Sequence, residues 1–519
     1  MRGGGPGGTT GDGTGAAAPP WRTDPPAAPD VTHDAVVVVP GIMGSALWDT
    51  SRERPVWGLK HPAAMLSLFT RADGLRPLHL DERELAGDYG RIRATGIVEV
   101  PVWAPFLKGL ESLGALRRAV RASVADPAAV LEFAYDWRLP AEVNGALLAE
   151  AAHRHLDSWL ASDAYDLARR LHPDGREARL VFVAHSMGGL VTRAAFEHAA
   201  AQGSDLVPRT RTVLTLGTPF LGSLKAVQLL NGHRVYPVPD RLLERAQALA
   251  ATLPAVHDLL PAYRCVDAGP DVRGLDAGDV KRLGGDPELA SRTLRHHERL
   301  RRRAVPMGVH RAVVGTTQPT PQTIVLDNGV AHVRYTAFLP DGSGGVGRDV
   351  NGIPLRQDRR GDGTVYRDAA VPSPGVPAEY VPLTHGALAK DDHVLAHVRA
   401  VLTEHELGAL QGDGDRAFGL ELPDSAVAGS ELELELLPAP DSAIGSINGI
   451  TCSVHEAASG RRVATPRLRR RDGSVGASVT LPAPGLFRVR VRAGGRGPLT
   501  QLVLAVPRDP VAADGGAGR

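Results

Sequence analysis

Cysteine is nearly absent from this chain. Only Cys265 and Cys452 occur in 519 residues, far apart in sequence, which excludes a disulfide framework and fits a reducing compartment. A long apolar run is missing too. No stretch of roughly 18 apolar residues exists, so no spanning helix is expected. Charge of one sign is lacking as well: 59 Lys and Arg balance 58 Asp and Glu, for a formal net charge of +1. No global field draws nucleic acid or anionic lipid, so no nucleic-acid partner is expected. The run Arg467 to Arg471 reads as solvated surface. Metal motifs are absent, since the 19 histidines include the pairs His153/His155 and His296/His297 but no H-E-x-x-H or Cys/His cluster; they read as scattered surface residues. Gly342-Ser-Gly-Gly-Val-Gly347 fits a dinucleotide-loop spelling, but no helix-forming segment follows and no compact βαβ unit surrounds it, so it reads as a loop. The Gly/Pro/Ala/Thr-rich start lacks the apolar core of a signal peptide. Residues 1–33 therefore read as a disordered leader, and the expected location is cytoplasmic.

What is present is an alternation of buried-strand and helix patterns. Continuous β-branched apolar runs occur at Ala35 to Val39, Val130 to Ala134, Leu180 to Ala184, Thr212 to Leu216 and Arg311 to Val314. Helical spacing separates them at Leu107 to Val124, Val143 to Leu171 and Leu190 to Ala201. This predicts an α/β domain over residues 34–410 with a mostly parallel sheet. From 224 to about 305 the pattern turns helical and strand-poor, the mark of an inserted cap. Val394 to Leu407 reads as that domain's last helix. Residues 411–418 form a linker by composition, after which the period changes to two, as in Glu431-Leu-Glu-Leu-Glu-Leu436 and Phe487-Arg-Val-Arg-Val-Arg492. An all-β sandwich over 419–508 follows, with 509–519 as a disordered tail.

Chemistry gathers at Ser186. In Arg179 to Val191 a β-branched run stops at a serine and a helix-compatible stretch begins two residues later, the outline of a nucleophile elbow. Residues two before and two after must be small, and Ala184 and Gly188 are. A serine hydroxyl needs a base, and the base an orienting acid. In the order Ser, acid, His, the acid falls on Asp362, within the turn-forming Gly361-Asp-Gly363. The base falls on His385, on the loop before the last helix, with His393 in reserve. His393 and His397 lie inside that helix, where a solvent-facing role is expected. An oxyanion hole needs two aimed donors. The backbone N–H of Met187 supplies one, and that of Ile42, in the glycine-flexed loop Pro40 to Ser45, supplies the other. Met65-Leu-Ser-Leu-Phe69 reads as a packed helix face, with a peripheral membrane contact as its alternative.

Six segments, in one order, resemble the lecithin:cholesterol acyltransferase family, which includes phospholipase A2-type members. They are Val39-Pro-Gly-Ile-Met-Gly-Ser-Ala-Leu47, Tyr135-Asp-Trp-Arg138, Ala184-His-Ser-Met-Gly188, Gly217-Thr-Pro-Phe-Leu-Gly-Ser223, Gly315-Thr-Thr-Gln-Pro-Thr-Pro321 and Gly361-Asp-Gly-Thr-Val365. The resemblance runs from about Ala35 to Leu407. It implies an α/β-hydrolase fold with a cap, Ser186, Asp362 and His385 as a catalytic set, and a lipid or other acyl ester as substrate, with alcohol or water as acceptor. No cofactor and no metal is implied. Asp136, Trp137 and Arg138 read as structural. The secreted members' loop-pinning cysteines are missing here, which removes one argument for binding at a lipid interface. The C-terminal β domain lies outside the resemblance, and its partner is open. The rival reading is a catalytically silent hydrolase fold acting as an interaction protein through that β domain.

Overall fold

The computed structural model describes residues 31–506 apart from 59–72, 99–112, 171, 173–174, 233–239, 303–304, 342–344, 374, 406–417, 424, 439–446, 448, 458, 472–473 and 494–498. Most of the expected leader, the linker up to 417, the tail and Met65 to Phe69 lie outside the described residues. Residues 31–33 do not belong to a leader. Thr32 and His33 are buried, and the Thr32 N–H donates to the Ser123 carbonyl.

Six strands form the main sheet: β1 (Ala35–Val39), β2 (Val130–Glu132), β3 (Leu180–His185), β4 (Thr210–Leu216), β5 (His310–Gly315) and β6 (Ala378–Val381). Their order is β6-β5-β4-β3-β1-β2, and every pairing is parallel. Both faces of such a sheet are covered, so its strands need apolar residues at consecutive positions rather than alternate ones. All five residues of β1 and all six of β3 are buried. The expected α/β-hydrolase sheet is thus present, with β6 as a strand that the apolar pattern alone did not single out.

The helices obey the same logic. The helical patterns resolve into α1 (Gly114–Arg121), α2 (Ala141–Leu160), α3 (Gly188–Ala201) and α4 (Asp392–Leu402). A separate short helix, Asp163–Arg170, completes the long stretch after α2. Helices α2 and α3 pack on each other, as do α1 and α4. Between residues 224 and 305 helices dominate, but Val266–Ala268 and Asp271–Arg273 add two strands to a four-stranded sheet completed by Thr323–Asp327 and Val330–Arg334. From 418 onward a four-stranded and a five-stranded sheet enclose a second apolar core built on residues such as Leu434, Val454, Val489 and Val503. Cys265 and Cys452 are buried and unpaired. Among the described residues no helix is long and apolar enough to cross a membrane.

The chain order runs from β1 to the edge strand β2 and then back across to β3. The strand order therefore reverses between β1 and β3, the position at whose carboxyl ends open α/β sheets bind ligands. The base of the sheet is tied by an ionic knot. Asp34, fully buried before β1, accepts from the Arg176 guanidinium at 2.7 and 2.8 Å, from the Arg179 N–H at 2.8 Å and from Arg211 on β4. Arg211 in turn donates to the carbonyls of Val401 and Leu402 at the end of α4, each at 3.0 Å. Burial pushes the Asp34 carboxyl up, but the arginines outweigh it and hold the group at about 2, against an ordinary 3.8.

A carboxyl depressed on folding stabilises above its unfolded pKa, and that contribution disappears as pH falls from 3.8 through about 2. Asp34→Asn should cost about 3 kcal/mol at neutral pH, as expected for breaking a buried ion pair. Urea denaturation at neutral and acid pH checks this, with the gap between parent and variant closing toward the acid end.

Candidate active site

Strands β1 and β3 pair in register from Ala35 with Leu180 to Val39 with Ala184, so the two chains leave the sheet side by side. After β3 the chain turns sharply. Ser186 has φ of 54°, a left-handed conformation that is strained for a side-chain-bearing residue and is found where surrounding structure enforces it. Its N–H donates to the Leu216 carbonyl on β4, 2.9 Å away, and its own carbonyl accepts from Gly189 as α3 starts. The small-residue demand has a measurable cause. A Cβ on Gly188 would lie 2.5 Å from the carbonyl oxygens of both Val39 and Pro40, leaving no room for any side chain.

Asp362 sits in a turn beyond β5, and its side chain is buried. Its Oδ1 accepts from the N–H groups of Thr364 (2.8 Å) and Val365 (2.7 Å), which fixes the carboxylate plane. Its Oδ2 accepts from His385 Nδ1 at 2.7 Å. A carboxylate only accepts, so this contact puts the ring proton on Nδ1 and leaves Nε2 as an acceptor. Ser186 Oγ donates to that Nε2 at 2.8 Å. The His385 N–H also donates to the Asp362 carbonyl, so backbone and side chain bind the same residue. Burial pushes the His385 ring down, but the Asp362 carboxylate outweighs it through its charge and hydrogen bond, and the pKa is raised above 6.5. Three residues picked for their chemistry and order are therefore joined in one hydrogen-bonded line. His393 is not part of it; it is exposed in the first turn of α4. His397 does not face solvent as expected. It is buried on the inner stripe of α4 with Val394, Val398 and Val401. His297 is likewise buried rather than superficial.

The two expected backbone donors are unengaged. Among the described residues neither the Ile42 N–H nor the Met187 N–H donates to an acceptor, although Met187 is wholly buried. An unpaired buried N–H costs stability and calls for a reason. The loop Pro40 to Ser45 is held by its carbonyls instead. Tyr135 Oη donates to Pro40 O (2.8 Å), Trp57 Nε1 to Met43 O (2.9 Å) and Trp137 Nε1 to Ser45 O (3.1 Å). Arg138, with no exposed side chain, pairs with Asp136 at 2.7 Å and Glu84 at 2.6 Å and anchors that segment.

Sequence reasoning missed several neighbours. His185 lies under His385, with ring centroids 5.1 Å apart, and burial pushes it down to about 3. A neutral ring there adds no second cation when His385 takes a proton. Gln318 is another. Its backbone exchanges two hydrogen bonds with Gly361, beside Asp362, and its Oε1 accepts from the Leu420 N–H of the first C-terminal strand at 3.0 Å. Thr384, before His385, donates to the Thr500 carbonyl at 3.5 Å. Thr317 has φ of 69°, and a Cβ on Gly419 would lie 1.8 Å from its carbonyl oxygen. The C-terminal unit thus touches both loops that carry Asp362 and His385. These contacts join residues far apart in sequence, and no local pattern signals them.

The parallel sheet order, the strained serine turn and the hydrogen-bonded line Ser186, His385 and Asp362 define an α/β-hydrolase. Within that class, the chain is similar to the lecithin:cholesterol acyltransferase family, whose model matches residues 101–272. The resemblance read from the motifs is borne out over that stretch, and it supports an esterase or acyltransferase. No curated protein matches the chain. Solved structures similar to it include a Tle4-Tli4 complex, at 16% identity over 71% of this chain and 96% of that one, with a TM-score of 0.38. The mature lipase BlEst2 of Bacillus licheniformis is 15% identical over 73% of this chain and 96% of that one, with a TM-score of 0.31. The Lin-41 filamin domain is 14% identical over 18% of this chain and 93% of that one, with a TM-score of 0.15. Scores this low carry no argument about activity.

The His385 ring should titrate above 6.5, and Asp362→Asn should lower its midpoint, since the opposing charge is gone while burial remains. Histidine ring NMR across the pH range reads this directly; an unchanged midpoint in the variant contradicts the assignment.

Proposed function

We propose that the protein is a serine-dependent acyl-ester hydrolase or O-acyltransferase acting on lipid esters through an acyl-Ser186 intermediate. The carrying observation is the pair of contacts Ser186 Oγ to His385 Nε2 at 2.8 Å and His385 Nδ1 to Asp362 Oδ2 at 2.7 Å. Ser186 Oγ attacks the ester carbonyl while His385 takes its proton. Asp362 holds the ring and stabilises the imidazolium, and the N–H groups of Ile42 and Met187 receive the negative oxygen. His385 then returns the proton to the departing alcohol. The acyl group leaves Ser186 for a second alcohol or for water, again with His385 as base. The family match supports a lipid ester as substrate. In this reading residues 34–410 form the catalytic unit and 419–508 a β-sandwich, and the unpaired cysteines favour a reducing compartment such as the cytoplasm.

Ser186→Ala should lower turnover of a chromogenic acyl ester by roughly 10⁵-fold and abolish labelling by a fluorophosphonate. Full labelling of the variant would sink the proposal. Tyr135→Phe removes only the bond to Pro40 O. It should lower kcat about fivefold, with KM nearly unchanged, because an interaction worth about 1 kcal/mol then no longer holds the oxyanion loop. Intact kcat would place the donor elsewhere.

A further inference from the structure

The strand Gly485–Ala493 alternates buried Phe487, Val489 and Val491 with Arg488, Arg490 and Arg492 on the outer face of the five-stranded sheet. The pairing register gives these arginines their same-face neighbours. His455, Ser453 and Thr451 lie on one side, and Thr500 lies opposite Arg490 on the other. None of these neighbours is acidic. Among the described residues none of the three arginines forms an ion pair or hydrogen bond, and Arg490 Nε is buried without a partner. Arg488 and Arg490 are half-buried rather than splayed into solvent. Burial, and then the Arg490 charge, push the Arg488 guanidinium down.

Four of the unit's carboxylates lie on the other sheet. Glu431, Glu433 and Glu435 alternate with buried Leu432, Leu434 and Leu436 on the four-stranded sheet, and Glu421 pairs opposite Glu435. That sheet also carries Arg469 and Arg470 on its edge strand, so cations accompany its carboxylates, whereas the arginine row of the five-stranded sheet has no carboxylate opposite it. Packing like charges side by side, partly desolvated and without counter-ions, destabilises a sheet. An anion laid on the face would remove that cost.

Position narrows the occupant. The Thr500 opposite Arg490 is the residue whose carbonyl accepts from Thr384, next to His385. The arginine row thus lies on the strand pair that meets the loop of the base. We propose that the outer face carrying Arg488, Arg490 and Arg492 docks on a surface of anionic, phosphate-bearing lipid and brings the Ser186 site to it. This rests on the acyl-ester reading above, which supplies the reason for a lipid surface rather than an extended polyanion.

The test uses the full chain carrying Ser186→Ala, so that binding is read without turnover. Cosedimentation is measured with vesicles of phosphatidylcholine alone, and of phosphatidylcholine mixed with phosphatidylglycerol. Binding to the mixed vesicles is expected, with none to the neutral ones, and it should weaken with salt. Replacing all three residues, Arg488→Gln, Arg490→Gln and Arg492→Gln, should weaken binding on the order of 100-fold, from the attraction of each arginine to an anionic surface. A charge-matched control, Arg461→Gln, Arg467→Gln and Arg469→Gln, should retain it; equal melting temperatures exclude misfolding. Equal losses in the two triple variants overturn the proposal. So does a parent that binds heparin but ignores anionic vesicles. If the parent with Ser186 intact fails to turn over soluble esters, the acyl-ester reading fails, while the vesicle arm still stands or falls by itself.

Discussion

The site depends on the parallel register between Ala35–Val39 and Leu180–His185. Because Val39 and Ala184 are partners, the loop from Pro40 and the turn at Ser186 emerge at one height and in contact. The strained serine conformation and the unengaged N–H groups of Ile42 and Met187 follow from that single alignment. A slip in this pairing would separate the hydroxyl from its facing donors even with each loop intact. Consecutive buried β-branched residues on both strands protect against such a slip, since each position has a packed neighbour above and below.

Around that alignment, polar groups are distributed by what they must satisfy. Asp34 holds three arginine-bearing segments at the amino end of the sheet. At the carboxyl end, Tyr135, Trp57 and Trp137 occupy the carbonyls of the Pro40 to Ser45 loop. The carbonyls of Pro40, Met43 and Ser45 are thus consumed, while the N–H groups of Ile42 and Met187 donate to no acceptor among the described residues. The His185 ring beneath His385 stays neutral.

The parts legible in the sequence were those with a local signature. Five of the six main strands show as continuous apolar runs, and Ser186 shows because strand, small residues and helix follow one another within a few positions. Asp362 and His385 were legible through order and turn chemistry. What escaped was settled by tertiary contact. His397 looks like any polar residue on an amphipathic helix, yet its spacing from Val394, Val398 and Val401 turns it inward. Gln318 carries no pattern at all; its role as a tie between Gly361 and Leu420 exists only once three distant segments meet. The two strands within 224–305 are three residues each, too short for periodicity to register.

Ser186 and His385 are separated by 199 positions in the chain, and the segments that brace the Asp362 and His385 loops lie farther on still, at Leu420 and Thr500. Synthesis proceeds from the amino end, and contacts of long sequence separation close last. A chain still on the ribosome can therefore complete β1 to β4 and form the Ser186 turn before His385 has been made. His385 stands about three quarters of the way along the 519 residues, so a product that ends before it holds the serine turn without the histidine to which Ser186 Oγ donates.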